Sequence, residues 1–159
     1  MYEPLTAAHA DGLFPLLGDA RVWAWIAGSD GATVGQMRAS YALRARGSGR
    51  PGERWLNHAV RLRTGPLLGR IEATVHDEGW GEIAYVFGVA AWGQGYGREA
   101  VRWLLGEIGV PQVWATAVPD NIRSIRLLSA LGFREAPATR PLPSWAPGDR
   151  VLRWDALPR

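Results

Sequence analysis

Two consecutive stretches near the middle of the chain alternate with a period of two. In 55–62, Leu56, His58, Val60 and Leu62 share one face; in 69–76, Ile71, Ala73 and Val75 oppose Arg70, Glu72, Thr74 and His76. Each reads as a half-buried strand, and Asp77-Glu78-Gly79 reads as the turn that follows. The next stretch, 82–89, is apolar on both sides, as a strand at the centre of a sheet should be. Beyond it the period changes to 3.6. Ala100, Val101, Leu104, Leu105 and Ile108 form one stripe, which predicts a helix over 96–108. A second buried strand is expected at 113–118, and a second helix at 121–131, stopped by Gly132. Strands at 133–136 and 150–155 would close the sheet around a Pro-rich loop, 137–147. Three helices are expected ahead of the strands. The first is 7–17, with Thr6 as N-cap. A short one over 21–26 opens after Asp19 and turns Val22, Trp23 and Ile26 to one side. The third is 37–46, preceded by the capping-box pattern Thr33-Val34-Gly35-Gln36.

Helices, then a three-strand meander, then helix–strand–helix–strand make a mixed α/β chain. Its 159 residues suit a single domain, 1–159. With 47% hydrophobic and 21% charged residues, it is globular rather than disordered. No apolar run reaches the roughly 18 residues of a membrane span. No basic start followed by an apolar stretch marks a signal peptide in residues 1–20, so the expected setting is cytoplasmic, with no membrane partner.

Missing residue types remove whole chemistries. All 18 basic residues are arginine. Without lysine there is no Walker A loop and no Schiff base. Without cysteine there is no thiol nucleophile, disulfide or thiolate metal site. The histidines, at 9, 58 and 76, are too scattered to suggest a metal. His58 falls on an apolar strand face and reads as a satisfied core histidine; His76 precedes a turn and reads as exposed. The arginines form no stripe, so the net charge of +3 does not indicate a nucleic-acid partner.

The richest segment is Trp92-Gly93-Gln94-Gly95-Tyr96-Gly97-Arg98, between the central strand and the helix at 96–108. Alternating glycines let backbone N–H groups converge, and a helix N-terminus adds positive dipole behind them, so the segment reads as a phosphate or pyrophosphate cradle. A dinucleotide fingerprint competes, but it wants its third glycine at position 98, which is Arg. A strand-to-helix turn needed only for close packing also remains open.

This loop, with Asn121-Ile122-Arg123-Ser124 opening the next helix and Leu131-Gly132-Phe133 ending it, resembles the GNAT N-acetyltransferase superfamily. The opening Leu5-Thr6…His9-Ala10-Asp11, Glu82-Ile83…Tyr85 and the Asn121…Ser124 spacing look most like the branch that acetylates ribosomal-protein N-termini. The resemblance covers nearly the whole chain. It implies a central, mostly antiparallel twisted sheet flanked by helices, with acyl-CoA in the splay between two central strands. The family's first strand has only residues 1–5 available, so it is either clipped or starts upstream.

By resemblance, acetyl-CoA is the co-substrate and no metal is used. Backbone N–H groups of Gln94, Gly95, Tyr96, Gly97 and Arg98 would hold its pyrophosphate. The family's leading Arg or Gln of this motif falls on Trp92. Pantetheine would lie along Phe87, Gly88 and Val89, where an N–H polarises the acetyl carbonyl. Asn121 either caps a helix or bonds the pantetheine arm or a water. A tyrosine that protonates the departing thiolate in some relatives corresponds to Leu128, which cannot; Ser124 is the substitute. Glu82 is the first choice of general base and Glu72 the second, although either could be a plain strand residue. Ser124, Glu82 and Asn121 are thus the catalytic candidates. The acceptor would be a primary amine, on a small molecule or a protein N-terminus, attacking directly in a ternary complex. Its walls would come from the first helices, from 28–33 and from 137–147, with Trp55 and Trp145 as candidate lining. Trp23, Trp25, Trp80, Trp103 and Trp114 read as packing residues. The alternative function is a catalytically silent acyl-CoA-binding or sensing module. A monomer and a homodimer are equally compatible with the sequence.

Overall fold

The three strands predicted as a meander form one. In the computed structural model, which describes residues 1–26 and 33–156, β2 (Glu53–Arg61), β3 (Leu67–His76) and β4 (Trp80–Phe87) pair antiparallel in sequence order. β1 (Tyr2–Pro4) adds to the outer edge of β2. On the other side of β4 lie β5 (Gln112–Ala117), then β7 (Arg150–Asp155), then β6 (Arg134–Glu135). The sheet order is β1-β2-β3-β4-β5-β7-β6, and every neighbouring pair is antiparallel except β4 and β5.

Strand alternation sends side chains to two cores. On one face Val60, Ile71, Ala73, Val75, Ile83 and Phe87 meet α4 (Tyr96–Ile108) and α5 (Ile122–Ala130). On the other, Ala59 and Val86 meet α1 (His9–Leu17), the short α2 (Ala20–Trp23) and α3 (Val34–Ala45). The predicted stripe of α4 is inward: Ala100, Val101, Leu104 and Ile108 are buried. Burying Val101, Leu104 and Ile108 is worth roughly 1.5–3 kcal/mol each. Their helix propensities differ from alanine's by at most about 0.7 kcal/mol. Packing therefore decides that this segment is a helix on the sheet.

The Thr33–Gln36 capping box forms in both directions, with N–H···O distances of 3.2 and 3.0 Å. Asp19 caps α2 by accepting from the Arg21 N–H at 2.8 Å. Thr6 is not a cap. The helix starts two residues later than predicted, with Ala8 at the N-cap, and Thr6 Oγ1 bonds His9 Nδ1 at 3.0 Å instead. The central strand begins and ends two residues earlier than predicted, because Val89–Ala91 coil into a single 3-10 turn. The closing strand at 133–136 is cut to two residues. Trp80 and Trp114 are buried as expected and enclose Leu142 of the Pro-rich loop.

Two histidines differ from expectation. His58 lies edge-on to Trp103, but its buried Nδ1 has no partner among the described residues. Burial lowers its pKa, so it is held neutral. His76 is half-buried, stacked on Trp80 with ring centroids 3.9 Å apart.

Candidate active site

The parallel contact between β4 and β5 is short. Trp80, Gly81 and Glu82 register with Gln112, Val113 and Trp114, and pairing stops there. β4 runs on to Phe87, and β5 turns its remaining residues to β7, with Ala115, Thr116 and Ala117 opposite Leu152, Val151 and Arg150. A slot therefore opens in the sheet from residue 83 onward. The Gly88 N–H donates to the Leu68 carbonyl at 2.9 Å. In an antiparallel ladder main-chain groups alternate between the two sides. Even-numbered residues of β4 thus face β3, while Tyr85 and Phe87 turn their N–H and C=O groups toward the slot. Of the three residues expected to line pantetheine, Gly88 has its N–H committed to β3. Its missing side chain matters instead, because a Cβ there would sit 3.2 Å from Leu16 Cβ of α1. The Phe87 carbonyl accepts from the Trp92 indole at 2.9 Å. Val89 begins the 3-10 turn at the mouth of the slot.

The loop reaches α4 through Gly93 and Gly95, whose φ values of +75° and +86° lie in the left-handed region. Gly95 is the N-cap of α4 and has no side-chain cap. The first bond of the helix runs from Glu99 N–H to the Gly95 carbonyl. The N–H groups of Tyr96, Gly97 and Arg98 are therefore left without intrahelical partners. The Gln94 side chain folds back to donate to the Ala90 carbonyl. Gly97 is glycine for another reason: a Cβ there would lie 2.9 Å from Leu127 Cδ1, where α5 crosses closely.

α5 opens on the same side of the slot. Asn121 is its N-cap, and its Oδ1 accepts from the Ser124 N–H at 3.2 Å, so the helix-capping role is realised. Ser124 Oγ lies 2.8 Å from Tyr85 Oη. Burial pushes the Tyr85 hydroxyl up to about 12, so the phenol is protonated. Leu128 is wholly buried in the core. The Arg123 guanidinium sits 4.0 Å above the Trp92 ring, a cation–π contact spanning the mouth of the slot.

The opposite face carries Glu82, only 6% exposed. Its Oε1 accepts from the Ser144 N–H at 3.4 Å and from the Ser144 hydroxyl. Ser144 is held in turn by Thr116 Oγ1 at 2.8 Å. Burial raises the Glu82 pKa; the Ser144 bonds pull it the other way without prevailing, and the charge of Glu72 adds to the rise. Glu72, on the same face, accepts from Arg44 Nε at 3.3 Å and from Arg70. Glu72 is thus an ion-pair member, which separates it from Glu82. Residues 28–32, expected to wall the acceptor, lie outside the described residues. Trp145 is 46% exposed and borders a separate hollow beside β6 and β7. Trp55 donates to Glu53 at 2.9 Å and stands in register with Glu82 across Thr74 of β3.

Tyr85 and Ser144 were not among the sequence candidates. Alternation along β4 puts Tyr85 on the Ile83–Phe87 face, but its partner is on another element. Ser144 sits in a loop without periodicity, so no pattern announces it.

A seven-stranded sheet, flanked by helices and with one parallel pair that splays, thus sets a slot beside a helix N-terminus that has no side-chain cap. Residues 1–134 match the family model for the acetyltransferase (GNAT) domain. The chain belongs to this acetyltransferase family. No curated protein matches it significantly. Among solved structures, the microcin C7 self-immunity acetyltransferase MccE in complex with acetyl-CoA and AMP superposes with a TM-score of 0.79 at 13% identity, over 97% of this chain and 91% of that one. The GNAT-family acetyltransferase of Bacillus anthracis gives 0.75 at 20% identity, over 97% and 93%. The aminoglycoside acetyltransferase AAC(6')-Ib in complex with coenzyme A gives 0.73 at 17%, over 98% and 94%. At these identities the likeness carries the fold. Among the described residues, no helix is long and apolar enough to cross a membrane.

Proposed function

We propose that the protein transfers the acetyl group of acetyl-CoA to a primary amine, on a small molecule or a protein N-terminus, by direct attack in a ternary complex. The observation that carries this reading is the slot beyond Glu82 and Trp114. It has the main-chain N–H groups of Tyr85 and Phe87 along one wall and the open N-terminus of α4 at its mouth. A pantetheine arm fits as the missing strand. The N–H groups of Gln94, Gly95, Tyr96, Gly97 and Arg98 then take the pyrophosphate. The Phe87 N–H becomes the donor for the acetyl oxygen. Asn121, with Oδ1 engaged as a cap, has its amide nitrogen left for the arm.

Glu82 serves as base from the far face. Its raised pKa suits proton abstraction better than an ordinary carboxylate would. The amine nitrogen bonds to the carbonyl carbon, its proton goes to Glu82, and the C–S bond breaks with its electron pair on sulfur beside Ser124. Holding both reactants in one slot supplies most of the rate enhancement.

The silent-module reading draws support from Leu128, a buried hydrocarbon at the acid position, and from Glu82 being covered by Ser144. One assay separates the two. Acetyl-CoA consumption is followed against a panel containing an aminoglycoside, a polyamine, an amino acid and a peptide with a free N-terminus, with binding measured in parallel. Turnover with any amine supports the enzyme; tight binding with none supports the module.

A further inference from the structure

On the α4–α5 face of the slot, the neighbouring hydroxyls belong to Tyr85 and Ser124, 2.8 Å apart. A pair of hydroxyls has a direction. Either hydroxyl can donate in such a pair; the phenol is the more acidic of the two, which favours the arrangement with Tyr85 Oη–H as donor and Ser124 Oγ as acceptor. Tyr85 has only one proton and has used it. Ser124 keeps its own, and among the described residues no acceptor takes it. The serine is also fixed at its backbone, because its N–H is held by Asn121 Oδ1 at 3.2 Å. With the main chain pinned on one side and an Oγ lone pair pinned on the other, the Ser124 O–H has little freedom. Tyr85 lies on β4 beyond the end of β5 pairing, so the pair borders the slot on its α4–α5 face, with the Tyr85 ring packed against the core.

We propose that Tyr85 is a positioning residue that aims the Ser124 hydroxyl proton at the sulfur of the acyl donor. This rests on the acyl-CoA reading of the slot. The step needs no proton to leave the chain. As the N–C bond forms and the C–S bond breaks, the sulfur takes the electron pair, and the Ser124 O–H donates a hydrogen bond to it. A thiol near pKa 8.5 is a weaker base as thiolate than either hydroxyl's conjugate, so CoA departs as the thiolate and is protonated by solvent. Tyr85 stays a neutral phenol throughout. The buried leucine at 128 then costs nothing, because the leaving group is stabilised from β4 and the first turn of α5.

The test uses free CoA and requires no acceptor. The thiol of bound CoA is titrated by the ultraviolet absorbance of its thiolate in wild type, Tyr85→Phe, Ser124→Ala and the double variant. In wild type the bound thiol should titrate below free CoA. Each single change should raise it by about one pH unit, a tenfold effect, and the double variant should go no further than Ser124→Ala. Ser124→Thr, which keeps the hydroxyl, should hold the wild-type value. A merely structural role would instead weaken CoA binding and leave the thiol unmoved. The inference is overturned if Tyr85→Phe titrates as wild type, if the two changes add, or if Ser124→Thr behaves as Ser124→Ala. If wild type does not bind CoA, the acyl-CoA reading itself falls. Binding with an unresponsive thiol sinks only the role of Tyr85.

Discussion

Replacing Glu82 with Gln separates chemistry from stability at one atom. The amide keeps an oxygen to accept from the Ser144 N–H and hydroxyl, so the local geometry survives. What is lost is the ability to take a proton. An alkyl amine near pKa 10.4 has only about one molecule in 2,500 unprotonated at pH 7. With Glu82 as base, the ionised carboxylate meets the abundant ammonium form. Without it, the enzyme must wait for free amine. The deficit should be about 10²–10³-fold near neutrality, within the usual range for a general base. It should shrink about tenfold per pH unit until the amine itself titrates. Stability should move the other way. The Glu82 pKa is raised in the folded protein, so the native state binds more protons than the unfolded one between the two values. Stability is then lost as pH rises through the folded pKa, and the Gln variant escapes that loss. Glu82→Gln should melt higher than wild type at neutral and alkaline pH, with the advantage vanishing in acid. The assays are pH–rate profiles with one amine and melting temperatures across the same pH range. Parallel rate profiles would rule Glu82 out as the base, and a variant less stable at high pH would refute the burial argument.

Glu72→Gln is the matched control: it should not produce the general-base deficit, should move the acid limb of the rate profile only to lower pH because one charge that raises the Glu82 pKa is gone, and should destabilise by about 1–3 kcal/mol, since Arg44 and Arg70 lose a charged acceptor. Saturating acetyl-CoA, at a hundred times its dissociation constant, should stabilise the fold by about 2.7 kcal/mol in a thermal melt; a shift with NAD and none with acetyl-CoA would overturn the co-substrate. Gly95→Val should weaken acetyl-CoA binding and cost at least about 1–2 kcal/mol through its positive φ, whereas Gly97→Val should act through Leu127 and Phe87 and loosen the α4–α5 contact; unchanged affinity in Gly95→Val would place the cradle elsewhere. Ser144→Ala removes the hydroxyl bond that lowers the Glu82 pKa and keeps the backbone one, so the acid limb of the rate profile should move to higher pH, and a limb that stays put would disconnect the loop from the base.

The parts of the site legible in the sequence are those where one residue type does one physical job. Glycines at 93 and 95 are visible because no other residue takes those backbone angles cheaply. The stripe of α4 and the alternation in β3 are visible because periodicity is local. The Tyr85–Ser124 pair joins positions 39 apart, and Ser144–Glu82 joins positions 62 apart. Nothing local records such distances. Asn121 illustrates the limit from the other side: its capping role follows from its type, while any contact with a ligand depends on where the slot opens. Thr6 failed as a cap because the helix start is set by packing of Leu5, Ala10 and Leu13, which propensity does not see.

The short β4–β5 ladder also has a mechanical consequence. Main-chain bonding divides the sheet into two plates, β1 to β4 and β5 to β6, riveted together by three register pairs at one end. Elsewhere the plates are joined through side chains, by packing on α4 and α5 on one face and by the Trp80–Leu142–Trp114 cluster and the Glu82–Ser144–Thr116 bonds on the other. Amides of Tyr85 and Phe87 should therefore exchange with solvent faster than their neighbours Ala84 and Val86, whose N–H groups point to β3. A molecule lying in the slot would act as a seam between the plates. Slow exchange at the odd positions of β4 would then report occupancy residue by residue.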